Sequence, residues 1–170
     1  MAIFKRRSNH PKKENNYRKY YDLIREDFSE CCAYCLIHEI LGGGKENYEL
    51  DHYRPKSLFS HLINDFLNIY YSCHVCNLYK SDSWPSSDLE RLGYCFVDPC
   101  NDDFSKHFSE SNDGRWLPIT NAGRYTEKKI RLNRVHLIEI RGLLRRIAEK
   151  KGTEPINWNV PIRDQIKQLL

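Results

Sequence analysis

Residues 49–57 read ELDHYRPKS. The run YELDH alternates in the manner of a short β-strand, and Pro55 ends it because proline cannot donate to a ladder. Asp51 and His52 stand side by side at the end of that strand. A carboxylate is a hard oxygen ligand for a small divalent cation. An imidazole titrates near neutrality and can take a proton at working pH. A lone Asp–His pair on a strand is usually a surface pair, so its meaning depends on what surrounds it.

Cysteines surround it. Cys32 and Cys35 form one C-x2-C pair and Cys73 and Cys76 a second, with 37 residues between Cys35 and Cys73. Two such knuckles supply four thiolates, the set that tetrahedral zinc takes in structural sites. Such a site can contribute about 10–16 kcal/mol to folding. Cys31 offers an alternative register, but Cys31 to Cys35 would be C-x3-C, so Cys32 is the expected ligand. Cys95 and Cys100 read as ordinary thiols and His74, inside the second knuckle, as exposed. A four-thiolate site has no open position. Any hydrolytic chemistry therefore needs a second metal elsewhere.

The chain has 170 residues, 40% of them hydrophobic and 29% charged, with a net charge of +4. One domain with appendages is the simplest reading. No apolar core follows the basic N-terminus, so no signal peptide is legible, and no apolar run approaches a membrane span of about 18 residues. These features predict a cytoplasmic protein, in which seven cysteines serve as metal ligands or free thiols. The first 28 residues carry eight Lys/Arg against four Asp/Glu, and residues 124–151 carry ten against three. Basic flanks suit a polyanionic partner, although solvated helix faces explain them equally well.

Residues 1–15 read as a loose basic arm, and apolar spacing predicts a helix over 16–28, capped by Asn15 or Asn16. SECCAYC is a knuckle, LGGGKENY a loop, FLNIYYSC a second strand, and CHVCNLYKSD a knuckle running into a helix. DGRW and TNAG mark turns in a β-rich patch. A single amphipathic helix is expected from Thr126 to about Gly152, with Ile130, Leu137, Ile140, Leu144 and Ile147 on its stripe. A last helix follows Pro161. The fold class expected is α+β.

The order Cys-x2-Cys, DHYRPKS, then N-x7-CN-x2-K, from Cys32 to Lys80, resembles the HNH endonuclease family. The resemblance implies a ββα-metal core over residues 16–94, stapled by the zinc site and surrounded by helices. It implies a hairpin and a helix clasping one Mg²⁺ or Mn²⁺. His52 would be the general base, and Asn68 would orient its ring. Asp51 and Asn77 would hold the catalytic ion, and Lys80 would contact phosphate. Arg54 and Lys56 could grip the nucleic-acid backbone. DNA is the expected substrate, with RNA an open alternative. His38 and His61 are expected at the surface.

Residues 95–170 form a mostly helical extension expected to pack on the core. FVDPCNDDFSKHF followed by RLNRVHLIEIR resembles, more loosely, the extension of retron-linked and Septu-type HNH components of phage defence. That implies a partner ATPase. Arg131, Arg134, Arg141, Arg145 and Arg146 could then bind nucleic acid or a partner. Asp98, Asp102, Asp103 and His107 could suggest another metal site but read more simply as caps, and their spacing is not that of an EF-hand. Two rivals belong to other classes. One is a non-catalytic zinc-ribbon binding module. The other is a zinc deaminase, which resembles H-x-E followed by P-C-x-x-C; here Ser72 precedes Cys73 and no H-x-E precedes it.

Overall fold

The computed structural model describes residues 2–169. Strand β1 (Tyr48–His52) pairs antiparallel with β2 (Ile69–Cys73), setting Tyr48 opposite Cys73 and His52 opposite Ile69. Strand β2 (IYYSC) is rich in β-branched and aromatic residues, which suit a pleated, half-buried surface. The connection between them is long, so its register depends on internal ties rather than on a tight turn. Asn68 provides three, accepting from the Arg54 N–H at 2.9 Å and donating to the carbonyls of Arg54 at 3.1 Å and Leu62 at 3.4 Å. The next residue after β2 begins a helix, His74–Lys80, which packs on both strands.

Helix α1 (Tyr21–Asp27) is entered through a 3-10 turn at Tyr17–Tyr20, capped by the side chain of Asn16. Helix α2 is His74–Lys80, and α3 (Ser87–Arg91) starts at a Ser86 cap. A second antiparallel pair joins β3 (Phe108–Glu110) to β4 (Trp116–Pro118), where the turn residues of DGRW predicted it. Helices α4 (Asn121–Ile130), α5 (Val135–Lys151) and α6 (Arg163–Leu169) complete the chain. The architecture is α+β. One buried core runs from Phe4 and Phe28 through Tyr71 and Phe96 to Leu137 and Ile166. No helix among the described residues is long and apolar enough to cross a membrane.

Two expectations need correction. The N-terminal segment is docked, not loose. Ile3 and Phe4 are buried, and both donate backbone hydrogen bonds to the Pro99 carbonyl. Arg6 donates to the carbonyls of Ile69 (2.8 Å) and Phe66 (2.6 Å) and stacks over the Phe66 ring. The single long helix from Thr126 is two helices. Arg131 adopts a left-handed conformation (φ 56°) that ends α4, and extended Arg134 starts α5. Asn133 holds the break by bonding both backbone groups of Trp116, each at 2.9 Å.

The arginines near this break are largely structural, contrary to a nucleic-acid role for the whole set. Arg141 is fully buried over Trp116 and donates to the Gly114 carbonyl at 2.6 Å. Gly114 sits at φ +87°, and a Cβ there would meet the Ile138 carbonyl at 2.7 Å, so this contact requires glycine. Arg145 pairs with Glu110 at 3.2 Å. Only Arg131 and Arg146 of the five are exposed.

Candidate functional site

The four knuckle cysteines converge as their spacing predicts. One ligand atom from each of Cys32, Cys35, Cys73 and Cys76 lies within 4.8 Å of the others, and three of the four residues are buried. Left-handed Leu36 (φ 62°) closes the first knuckle, its N–H returning to the Cys32 carbonyl at 3.0 Å. The Tyr34 N–H points at Cys32 Sγ at 3.4 Å, and Arg134 Nη2 donates to Cys76 Sγ at 3.2 Å. Both donors stabilise thiolate over thiol. Soft sulfur in this arrangement could hold a metal ion such as zinc. Cys31 stands outside the set, bonded to the Ser29 carbonyl, and burial pushes its thiol up to about 12. Among the described residues no second group of His, Cys, Asp or Glu side chains converges in this way.

Beside the thiol cluster, β1 and α2 enclose a cleft of about 380 Å³. Asp51 and His52 come to it from the strand and Asn77 from the helix, one residue after the last cysteine of the cluster. Lys56, Tyr17 and the Glu49–His74 pair also line it. The same α2 turn that delivers Cys76 to the sulfurs thus delivers Asn77 to the cleft.

His52 is held from two sides. Its Nε2 lies 2.9 Å from the Ile63 carbonyl, and the edge of its ring meets Tyr17 at a centroid distance of 4.6 Å. A carbonyl only accepts, so Nε2 carries the proton, and the neutral ring keeps its lone pair on Nδ1. Nδ1 has no protein partner among the described residues. Burial pushes the imidazole below its ordinary value, against the Ile63 bond and the charge of Asp51. The ring is therefore a neutral acceptor at pH 7. Asn64 braces this arrangement from behind: its Oδ1 accepts from the Tyr17 N–H at 2.9 Å, and it neighbours Ile63 in the chain.

Asp51 is buried, and its carboxylate is already engaged. Lys80 Nζ sits 3.0 Å from Oδ2 and 3.3 Å from Oδ1, and the Tyr34 hydroxyl donates to Oδ2. Burial pushes the Asp51 carboxyl up, while Lys80 and Tyr34 pull it back. The Asn77 side chain makes no hydrogen bond among the described residues, so its amide oxygen is available in the cleft. One carboxylate and one amide oxygen are donors suited to a hard divalent ion. Lys80 offsets part of the carboxylate charge, so they would hold such an ion weakly on their own.

Three other residues are placed differently from their expected roles. Lys80 is fully buried and cannot reach a bound backbone; besides Asp51 it donates to the His52 carbonyl at 2.7 Å. Asn68 does not touch the His52 ring, because its amide is committed to the Arg54–Leu62 loop, and the Ile63 carbonyl orients the imidazole instead. Arg54 lies outside the cleft, its guanidinium over Phe59 and Trp84 at 5.4 and 5.6 Å. Lys56 does line the cleft. His38, expected at the surface, is buried between Glu30 (3.1 Å) and the Ile40 N–H (3.1 Å), whereas His61 and His74 are exposed. Asp98 and Asp102 stitch a turn: Asp98 accepts from Tyr70 and the Cys100 N–H, Asp102 from the Asp98 N–H. His107 bonds Thr120 at 2.7 Å.

Tyr17, Tyr34, Ile63 and Asn64 were not singled out as site residues in the sequence, and Arg134 was read there as a nucleic-acid or partner contact, not as a donor to Cys76. Tyr34 sits inside the first knuckle, where a polar aromatic was a visible signal. A backbone carbonyl leaves none. Compared with protein-family models and with curated proteins, the chain matches none.

Proposed function

We propose that this chain is an endonuclease of the HNH type, built on a ββα-metal core and hydrolysing phosphodiester bonds in DNA with Mg²⁺ or Mn²⁺. The observation that carries this reading is the state of His52: its Nε2–H is fixed on the Ile63 carbonyl, leaving Nδ1 as a free lone pair in a cleft shared with Asp51 and Asn77. Nδ1 takes the proton of the attacking water. Lys56 attracts the phosphate into the cleft. Asp51 and Asn77 would hold the divalent ion, with substrate and water completing its shell. Bound there, the ion would stabilise charge developing on the phosphoryl group and the leaving 3′ oxygen. The four thiolates would hold structural zinc. The likeness of the second half to phage-defence HNH components supports a role in defence beside a partner ATPase, in the cytoplasm.

One feature favours a second reading, that of a non-catalytic zinc-ribbon module binding nucleic acid or protein. The Asp51 carboxylate is satisfied by Lys80 and Tyr34 without any ion. A cleavage assay separates the two. Purified protein is incubated with plasmid, single-stranded DNA and RNA, in Mg²⁺, Mn²⁺ or EDTA, beside His52→Ala. Metal-dependent cleavage that falls about 10²–10⁴-fold in the variant is the expected result, the range of a lost general base. Cleavage that survives undiminished in His52→Ala overturns the assignment. The preferred polymer identifies DNA or RNA as the substrate.

A further inference from the structure

The charge of the N-terminal segment is not all used internally. Arg6, Arg7 and Arg25 are committed to carboxylates, and Lys19 pairs with Glu14. Lys12 and Lys13 are exposed and form no ion pair among the described residues. They stand beside a second groove, of about 270 Å³, between residues 10–13 and the loop 61–67. Lys13 and the imidazoles of His10 and His61 supply cationic and N–H donor groups along it. Phe66 and Leu67 give it an apolar floor, with the His10 ring tilted on Phe66 at 5.9 Å. Its one acid, Asp65, caps the Leu67 N–H through Oδ1 at 2.9 Å.

This groove and the cleft have neighbouring walls. Asn64 lines the groove and bonds the backbone of Tyr17, which lines the cleft. Cations beside an apolar, partly aromatic floor are the components of single-strand binding: phosphates meet the charges and bases lie on the floor. Resting on the nuclease reading above, we propose that this groove is a substrate subsite, holding the single-stranded backbone that leads away from the cleaved phosphate, with Lys12 and Lys13 on successive phosphates. Arg141 and Arg145 of α5 do not supply this contact, since Arg141 is buried and Arg145 pairs with Glu110.

The test uses the full chain carrying His52→Ala, so that binding is read without cleavage, and a fluorescent single-stranded 20-mer. Affinity is measured between 50 and 200 mM salt, with and without Lys12→Ala and Lys13→Ala together. Each lost phosphate contact lowers the slope of log K against log salt by about 0.7 for single strands, so the pair should flatten it by roughly 1.4. In the His52-containing enzyme the same pair should raise KM and leave kcat unchanged. Both lysines are exposed, and an unaltered melting curve confirms an intact fold. An unchanged slope and KM, with cleavage still dependent on His52, would overturn the subsite alone. Binding of anionic lipid vesicles in preference to the 20-mer would also overturn it. Cleavage independent of His52 would remove the nuclease reading and leave the binding result to stand or fall by itself.

Discussion

Replacing Lys80 with methionine probes the tie between the fold and the cleft. Methionine keeps most of the volume and removes the ammonium. In the parent, that ammonium is fully buried, 3.0 Å from the Asp51 carboxylate and 2.7 Å from the His52 carbonyl. Lys80→Met leaves the buried carboxylate with the Tyr34 hydroxyl as its remaining partner. Breaking a buried pair from one side costs about 3–5 kcal/mol, because the surviving charge is uncompensated. For a chain of this size each kcal/mol moves Tm by about 2–4 °C, so a fall of about 6–20 °C is expected. Making Asp51→Asn in the same chain removes the stranded charge. The double variant should therefore be less destabilised than the sum of the two singles, with a coupling of about 1–3 kcal/mol. Urea or thermal denaturation of metal-loaded protein, followed by circular dichroism, measures all four corners of the cycle. A Lys80→Met variant within 1 kcal/mol of the parent, or two substitutions that add without coupling, would refute the claim that this pair is buried and mutually dependent.

Two further outcomes follow from groups away from the cleft. Chelation at neutral pH should expose the four clustered thiols to an alkylating or disulfide reagent and lower Tm sharply, and zinc should reverse both, whereas Cys31 stays protected by burial alone; full thiol reactivity before chelation contradicts this. Burial holds the His38 imidazole below its ordinary value, against Glu30 and Glu39, and Arg163 adds to the depression. The unfolded chain then binds more protons than the folded one, so this residue's contribution is fully present above about pH 6.5 and is lost as pH falls below it. His38→Gln should flatten the pH dependence of stability below about pH 6.5 relative to the parent, as read from denaturation midpoints, and an unchanged dependence is the contrary result.

The hairpin, the following helix and the four cysteines were legible because each leaves a local mark. C-x2-C spacing, a β-branched and aromatic run, and the proline at 55 all act within a few residues. Asp51, His52 and Asn77 were legible as neighbours of those marks. What escaped was set by partners distant in the chain. Lys80 looked like a helical surface cation until its register against β1 buried it. His38 looked solvated because the glutamate that receives it lies across an isolated bridge. The apolar stripe of residues 126–152 continues across Arg131–Arg134, and nothing in its periodicity announces that Asn133 clasps Trp116 and splits the helix. Arginines on α5 counted as free charge in the sequence, but Arg141 and Arg145 are enclosed by the β3–β4 pair.

Arg134 gives the C-terminal half a stake in the sulfur site. Four thiolates around one zinc leave a surplus of roughly two negative charges, and the guanidinium that answers part of it is delivered from 58 residues downstream of Cys76. Trimming the chain to its knuckles, hairpin and short helix would keep every ligand yet strip away the counter-charge. A unit folding around such an ion would therefore be longer than the four-cysteine motif, and the break between α4 and α5 would belong to it.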